Sequence, residues 1–323
     1  MPLSNEKLTE MYRLMLRVRL FEEGVARLLR EGRLLGVVHL SAGQEAVAVG
    51  ACSAVGPKDW ITSTHRGHGH LIAKGGDIRR MFAELFGRVD GYCRGKGGSM
   101  HIADLELGIL GANGIVGAGL PIAVGAAFAS KYRGDGAVCL SFFGDGATNQ
   151  GTFHEALNMA AVLKLPAIFI CENNLYGEWT SQERHQAIRD VADRATAYGI
   201  PGRVTDGMDV REVHETVAEA VERARRGEGP ALLEFKTYRY FDHVGASDGT
   251  QARPSEELEE WRSRDPIPAF RQRLIQEGVL TESQAGAIDG EEEEATEEGI
   301  RFAEASPLPE TDTLLTDVYA EGG

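Results

Sequence analysis

No stretch of this 323-residue sequence approaches the roughly 20 consecutive apolar residues that a membrane-spanning helix requires. Its opening, MPLSNEKLTEMYRLMLRVRL, mixes charged with apolar residues and has no unbroken apolar run of the kind a secretory leader carries. A cytoplasmic location without a membrane partner is therefore expected. Positive charge is also short. Against 49 Asp and Glu stand 34 Lys and Arg, and the formal net charge of −15 disfavours the phosphate backbone of a nucleic acid as a partner. Cysteine is scarce and scattered: Cys52, Cys93, Cys139 and Cys171 form neither a CxxC pair nor metal-finger spacing, and read as reduced, mostly buried thiols. Two common phosphate signatures are missing as well. In GYCRGKGGS (91–99) only three residues separate Gly91 from Gly95-Lys96 and no Ser or Thr follows the lysine, so the Walker spacing fails, and no strand runs into a G-x-G-x-x-G.

What the sequence has in excess is glycine, 40 residues of 323, well above the usual ~7%. The glycines cluster between 36 and 119, in HRGHGH, GKGGSMH and GANGIVGAG, which marks ordered loops with a function rather than a spread of turns. Before them, Glu6 to Arg30 carries apolar residues close to a helical period. Three regions follow: an N-terminal helical arm over 1–35, an α/β domain over 36–250, and an acidic helical region over 251–323 that packs on the same domain.

The α/β pattern is clearest from 137 to 176. AVCLSFF, rich in β formers, runs into Gly144-Asp145-Gly146; a helical segment follows, then AIFIC and Glu172-Asn173-Asn174. Phe153, Leu157, Ala160 and Ala161 give the middle segment one apolar stripe, so the two strands should be parallel neighbours with the helix laid across them. A further helix near Arg211–Arg226 and a strand at Ala231–Phe235 extend the sheet.

That geometry places Asp145 and Asn174 just past the carboxyl ends of adjacent parallel strands, where open α/β sheets bind ligands. Taken singly, Gly-Asp-Gly and Asn-Asn are ordinary turns. Paired across a strand–helix–strand unit, a carboxylate, an amide oxygen and a backbone carbonyl make a hard oxygen set suited to Mg²⁺, beside a helix start that favours a diphosphate. His65, His68 and His70 invite a zinc reading, but Arg66 and the glycines between them suit an anion better than a cation.

The segment SFFGDGATNQGTFHEALNMAAVLKLPAIFICENNLYG resembles the thiamine-diphosphate motif in α subunits of 2-oxo acid and acetoin dehydrogenase complexes. The likeness continues through HLSAGQEA, ITSTHRGHGH, GKGGSMHIAD, GANGIVGAG and TYRYFDH, and covers most of residues 30–250. It implies a three-layer thiamine-diphosphate-binding α/β fold, a mainly parallel sheet flanked by helices. It further implies Mg²⁺ on Asp145, Asn174 and the backbone oxygen of Tyr176, with Arg66 on the terminal phosphate and Gly146 and Ala147 beside the diphosphate. Gly114 and Val116 would cradle the aminopyrimidine through the backbone, and His39 and His243 would be the catalytic histidines near the reactive carbon. His65, where the family often has tyrosine, joins the cofactor-binding set, and STHRGHGH resembles the acetoin-cleaving branch more than the pyruvate branch. Phe241-Asp242 stand ahead of His243 where relatives carry glycine, and Val244 follows it where animal pyruvate dehydrogenases carry a regulatory phosphoserine, so that switch is not supported. The resemblance also implies a β subunit in an α2β2 heterotetramer, a lipoyl-bearing acyltransferase as acceptor, and a 2-oxo acid such as pyruvate, or acetoin, as substrate. A split transketolase-like ketol transferase subunit and a noncatalytic binding subunit are the alternatives.

Overall fold

The computed structural model describes residues 3–34, 36–247 and 253–317. The arm's expected end at 35, the boundary at 250/251 and the C-terminal residues 318–323 lie outside these residues. The chain opens with α1 (Asn5–Arg30), started by the Ser4 hydroxyl accepting from Lys7 N–H. Then come α2 (Glu45–Ser53), β1 (Trp60–Thr62), α3 (His68–Ala73), α4 (Ile78–Leu85) and α5 (Gly119–Arg133). The glycine-rich stretch is thus more than loops: it holds three helices and a short strand.

From there β2 (Cys139–Gly144), α6 (Gly151–Val162) and β3 (Ala167–Asn173) form the expected strand–helix–strand unit. A short hairpin, β4 (Tyr176–Gly177) and β5 (Thr180–Ser181), leads into α7 (Gln182–His185), β6 (Gly202–Asp206), α8 (Val210–Arg225) and β7 (Ala231–Lys236). Three α-helices follow, α9 (Ser255–Arg262), α10 (Pro266–Gln276) and α11 (Glu282–Ala305), and then a 3₁₀ turn (Thr311–Leu315). Strand order in the main sheet is β1-β2-β3-β7-β6, with every pairing parallel.

Strand periodicity sorts the core into two layers. Leu140 and Phe142 of β2, Ile168 and Ile170 of β3 and Leu233 of β7 face one side, together with α1, α2, α4, α8 and α11. Cys139, Phe143, Phe169, Cys171 and Leu232 face the other, under α5 and α6. The N-terminal segment is less an arm than a core helix, because Met11, Met15, Val18, Phe21 and Val25 are all buried. Helix α11 is acidic on its outer face yet buries Ile288, Ile300 and Ala303 against α4 and α1, and its buried Glu292 accepts from Arg13 and Arg17. Among the described residues no helix is long and apolar enough to cross a membrane.

Because the strands are parallel, their carboxyl ends share one edge, and the segments after β1, β2, β3 and β7 converge there. That edge carries the site.

Candidate active site

Register sets the first pair of candidate residues. Gly144 of β2 lies opposite Glu172 of β3, so Asp145 and Asn174 emerge side by side at the ends of their strands. Asp145 opens a 3₁₀ turn (Asp145–Asn149) and is 1% exposed. Its Oδ2 lies 3.1 Å from His185 Nε2, while Oδ1 is buried with no hydrogen-bond partner. A buried, unpartnered carboxylate oxygen is costly unless a ligand completes it, and a cation does so most directly. Asn174 is held by donating from Nδ2 to Gln44 Oε1 at 3.0 Å, which leaves its Oδ1 turned toward Tyr176 N–H, 3.3 Å away. Leu175 (φ 70°) and Glu178 (φ 57°) bracket Tyr176-Gly177 in the left-handed region, a strained backbone of the kind that gathers at functional sites. Opposite this hairpin a Cβ on Gly146 would stand 3.2 Å from Gly177 Cα, so glycine lets the two loops touch.

Between these loops opens a cleft of about 350 Å³, within the range of small-molecule sites. Asp145, Gly146, Ala147, Asn174 and Tyr176 line one side of it. His65, Arg66 and His243 line another, and Val116, 44% exposed, lies on the wall beside exposed Ile115. His39 and Gly114 are not on the wall. The His39 ring packs behind those of His65 and His243, with centroids 4.6 and 5.0 Å away, and Gly114 sits over His101.

The positive charge in the cleft comes from two buried guanidiniums. Arg66 Nη1 donates to the Leu40 carbonyl and Nη2 to the His243 carbonyl at 3.0 Å. Arg239 donates to His243 Nδ1 at 3.0 Å and to the Glu178 carbonyl. Among the described residues neither makes an ion pair, and burial pulls Arg66 down to about 10 and Arg239 to about 9. Their hydrogen-bond acceptors are all neutral, and the nearby carboxylates, Glu22, Glu172 and Asp242 for Arg66 and Asp145 and Asp242 for Arg239, act without a direct ion pair, which leaves both guanidiniums free to meet an incoming anion. Burial, reinforced by Arg66, also holds the neighbouring imidazoles neutral: His39 is lowered to about 4, His243 to about 3 and His65 to about 2. With Arg239 occupying Nδ1, neutral His243 carries its proton on Nε2 and can donate it.

The zinc spacing at 65–70 does not assemble. His68 turns to Glu22 and Ser99, and His70 to Ser63 and Glu172 (3.1 Å), because α3 carries both away from His65. The trio that does converge is His39, His65 and His243, with ring nitrogens within 4.8 Å of one another. GYCRGKGGS has its own occupant. The buried carboxylate of Glu84 accepts from the N–H groups of Cys93, Gly95, Gly97 and Gly98, the service a phosphate receives in a P-loop.

Sequence reasoning missed Arg239, His185 and Gln44. Arg239 had a usable signal, a cation just past the carboxyl end of a buried strand. His185 and Gln44 lie in segments with no periodic mark.

A family model described as "Dehydrogenase E1 component" matches residues 12–312. The α subunit of acetoin:2,6-dichlorophenolindophenol oxidoreductase from Bacillus subtilis (strain 168) is 49% identical over 317 residues, 98% of this chain and 95% of the relative. The subunit of the same name from Cupriavidus necator is 47% identical over 320 residues, 99% of this chain and 96% of its own length. The pyruvate dehydrogenase E1 component subunit alpha of Rhizobium meliloti (strain 1021) is 44% identical over 316 residues, 98% of this chain and 90% of its own.

Proposed function

The chain belongs to the dehydrogenase E1 component family, whose cofactor is thiamine diphosphate, and from that premise we propose that it is the α subunit of an enzyme that cleaves acetoin or decarboxylates a pyruvate-like 2-oxo acid. The observation that carries the reading is the buried, unpartnered Oδ1 of Asp145 at the sheet's carboxyl edge, on a cleft that also holds two guanidiniums without a direct ion pair among the described residues. Cation and anion sites in one cleft suit a magnesium diphosphate.

In this reading Asp145 Oδ1, Asn174 Oδ1 and the Tyr176 carbonyl hold Mg²⁺, a hard cation that takes oxygen donors and leaves its other positions to phosphate and water. Arg66 serves the terminal phosphate, while Gly146 and Ala147 bring backbone N–H groups to the diphosphate. Gly114 and Val116 support the aminopyrimidine from the backbone. When bound, thiamine diphosphate supplies an electron sink for cleaving the carbon–carbon bond next to a carbonyl. His243, neutral with its proton on Nε2, donates a hydrogen bond to oxygen charge that develops on the substrate. His39, behind it and neutral, moves a proton or fixes the His243 ring. Acetoin is the first substrate to test, since two of the relatives above carry it in their names and STHRGHGH resembles that branch.

The site is one-sided, and a β subunit completes it. Ile115 and Val116 stand exposed at the cleft, and the neighbouring faces of α5 and α6 present Ile122, Phe128, Tyr132, Met159 and Val162 to solvent, Tyr132 at 86%. The β chain covers this face in an α2β2 assembly, and a lipoyl-bearing acyltransferase receives the acyl group. Co-expression with a β chain, followed by reduction of an artificial electron acceptor with acetoin, pyruvate and branched 2-oxo acids in turn, tests the reading. Turnover with one of them, in the mixture only, is the expected result. No turnover with any of them, despite bound diphosphate, would leave a ketol transferase or a noncatalytic subunit.

A further inference from the structure

We propose that His185 is a positioning residue for the cation site: it grips one oxygen of the Asp145 carboxylate and so aims the other into the cleft. This rests on the reading of Asp145 as a metal ligand. His185 Nε2 lies 3.1 Å from Asp145 Oδ2, and the remaining oxygen, Oδ1, is the buried one without a partner. On the far side of the ring, Nδ1 lies 3.1 Å from Asn149 Nδ2, and the same amide nitrogen lies 3.3 Å from the His185 carbonyl. Only the NH₂ end of an amide can meet two acceptors, so Asn149 donates and Nδ1 accepts. The ring is therefore the neutral Nε2–H tautomer, and its one N–H points at Asp145.

The segment bearing this ring is fastened to the same turn. Gln186 Nε2 donates to the Asp145 carbonyl at 3.0 Å and to Thr148 Oγ1 at 3.1 Å. One residue pair, His185-Gln186, thus holds both the side chain and the main chain of Asp145. Three residues earlier, Gln182 Oε1 accepts from Asn173 Nδ2 at 3.0 Å, tying the segment to the end of β3 as well. The His185 side chain is only 14% accessible, so it has little freedom to leave. A group that hydrogen-bonds a ligating carboxylate from behind fixes its orientation, and losing such a partner weakens metal binding by roughly 10–100-fold.

The test uses the assembled α/β enzyme with thiamine diphosphate, titrated with Mn²⁺ and followed by the free-ion electron paramagnetic resonance signal. His185→Ala should raise the Mn²⁺ Kd by roughly 10–100-fold. His185→Gln, whose amide can donate to Oδ2, should recover most of that loss. Asn149→Ala should weaken binding less than His185→Ala, and it carries the test if His185→Ala fails to fold. Equal weakening in the Ala and Gln variants would assign the effect to packing and overturn the positioning role. So would wild-type binding in His185→Ala, provided Asp145→Ala has lost the ion. Wild-type binding in Asp145→Ala would instead overturn the underlying assignment of the metal site.

Discussion

The two faces of the central sheet are finished differently. On the side of α1, the sheet is buried under a thick layer in which α1, α4 and α11 lock together: Phe21 and Phe82 meet at 4.4 Å, and Gly299 lies so close that a Cβ there would press on the Phe82 ring at 2.9 Å. On the other side a single layer, α5 and α6, covers the strands and then shows apolar residues to water, Phe128 at 51% and Val162 at 72%. The thick side closes its own core. The thin side ends on a surface suited to a partner, and the cleft opens beside it, so stability and function fall on opposite faces.

At the edge shared by both faces, Asp145→Ala, which takes away the proposed cation ligand, should cut turnover of the paired enzyme by roughly 10³-fold or more, measured by acceptor reduction. Phe82→Ala on the thick side should cost about 3–5 kcal/mol of stability, seen as a lower urea midpoint, without a specific loss of assembly. Its counterpart on the thin side, Phe128→Asp, should shift the stability of the isolated chain by less than ~0.5 kcal/mol. It should nonetheless weaken pairing with the β chain by about 2 kcal/mol, measured by sedimentation. If Phe128→Asp unfolds the chain instead, the contrast between faces breaks.

The smallest effect concerns pH. His39, His65 and His243 have folded pKa values of about 4, 2 and 3, below their ordinary 6.5, so the folded chain refuses protons that the unfolded chain accepts. Stability is fully present above pH ~6.5 and is lost as pH falls from there toward 4. Replacing His65 with Asn should flatten that acid loss by about 2–4 °C in Tm, followed by thermal scans between pH 7 and 4.

The β2–α6–β3 unit was legible because a buried parallel strand and a one-faced helix each leave a periodic mark, and the placement of Asp145 and Asn174 on the cleft at the sheet's edge followed from that unit. Less legible were β1, only three residues long, and β6, a half-exposed edge strand whose Gly202, Arg203 and Val204 lack apolar alternation. The histidines show a second limit. Spacing grouped His65 with His68 and His70, whereas the fold groups it with His39 and His243, because proximity across 178 positions has no local signature. Arg239 lies inside TYRYFDH, but its importance comes from being buried in the cleft without a direct ion pair among the described residues, which only packing reveals.

The most direct single measurement is a crystal structure of the α/β pair with thiamine diphosphate and Mg²⁺. The ion should lie about 2.0–2.1 Å from Asp145 Oδ1, Asn174 Oδ1 and the Tyr176 carbonyl, with Arg66 on the terminal phosphate and β-subunit residues over Ile115 and Val116. A diphosphate bound elsewhere, or a metal held without Asp145, would contradict the assignment of this cleft.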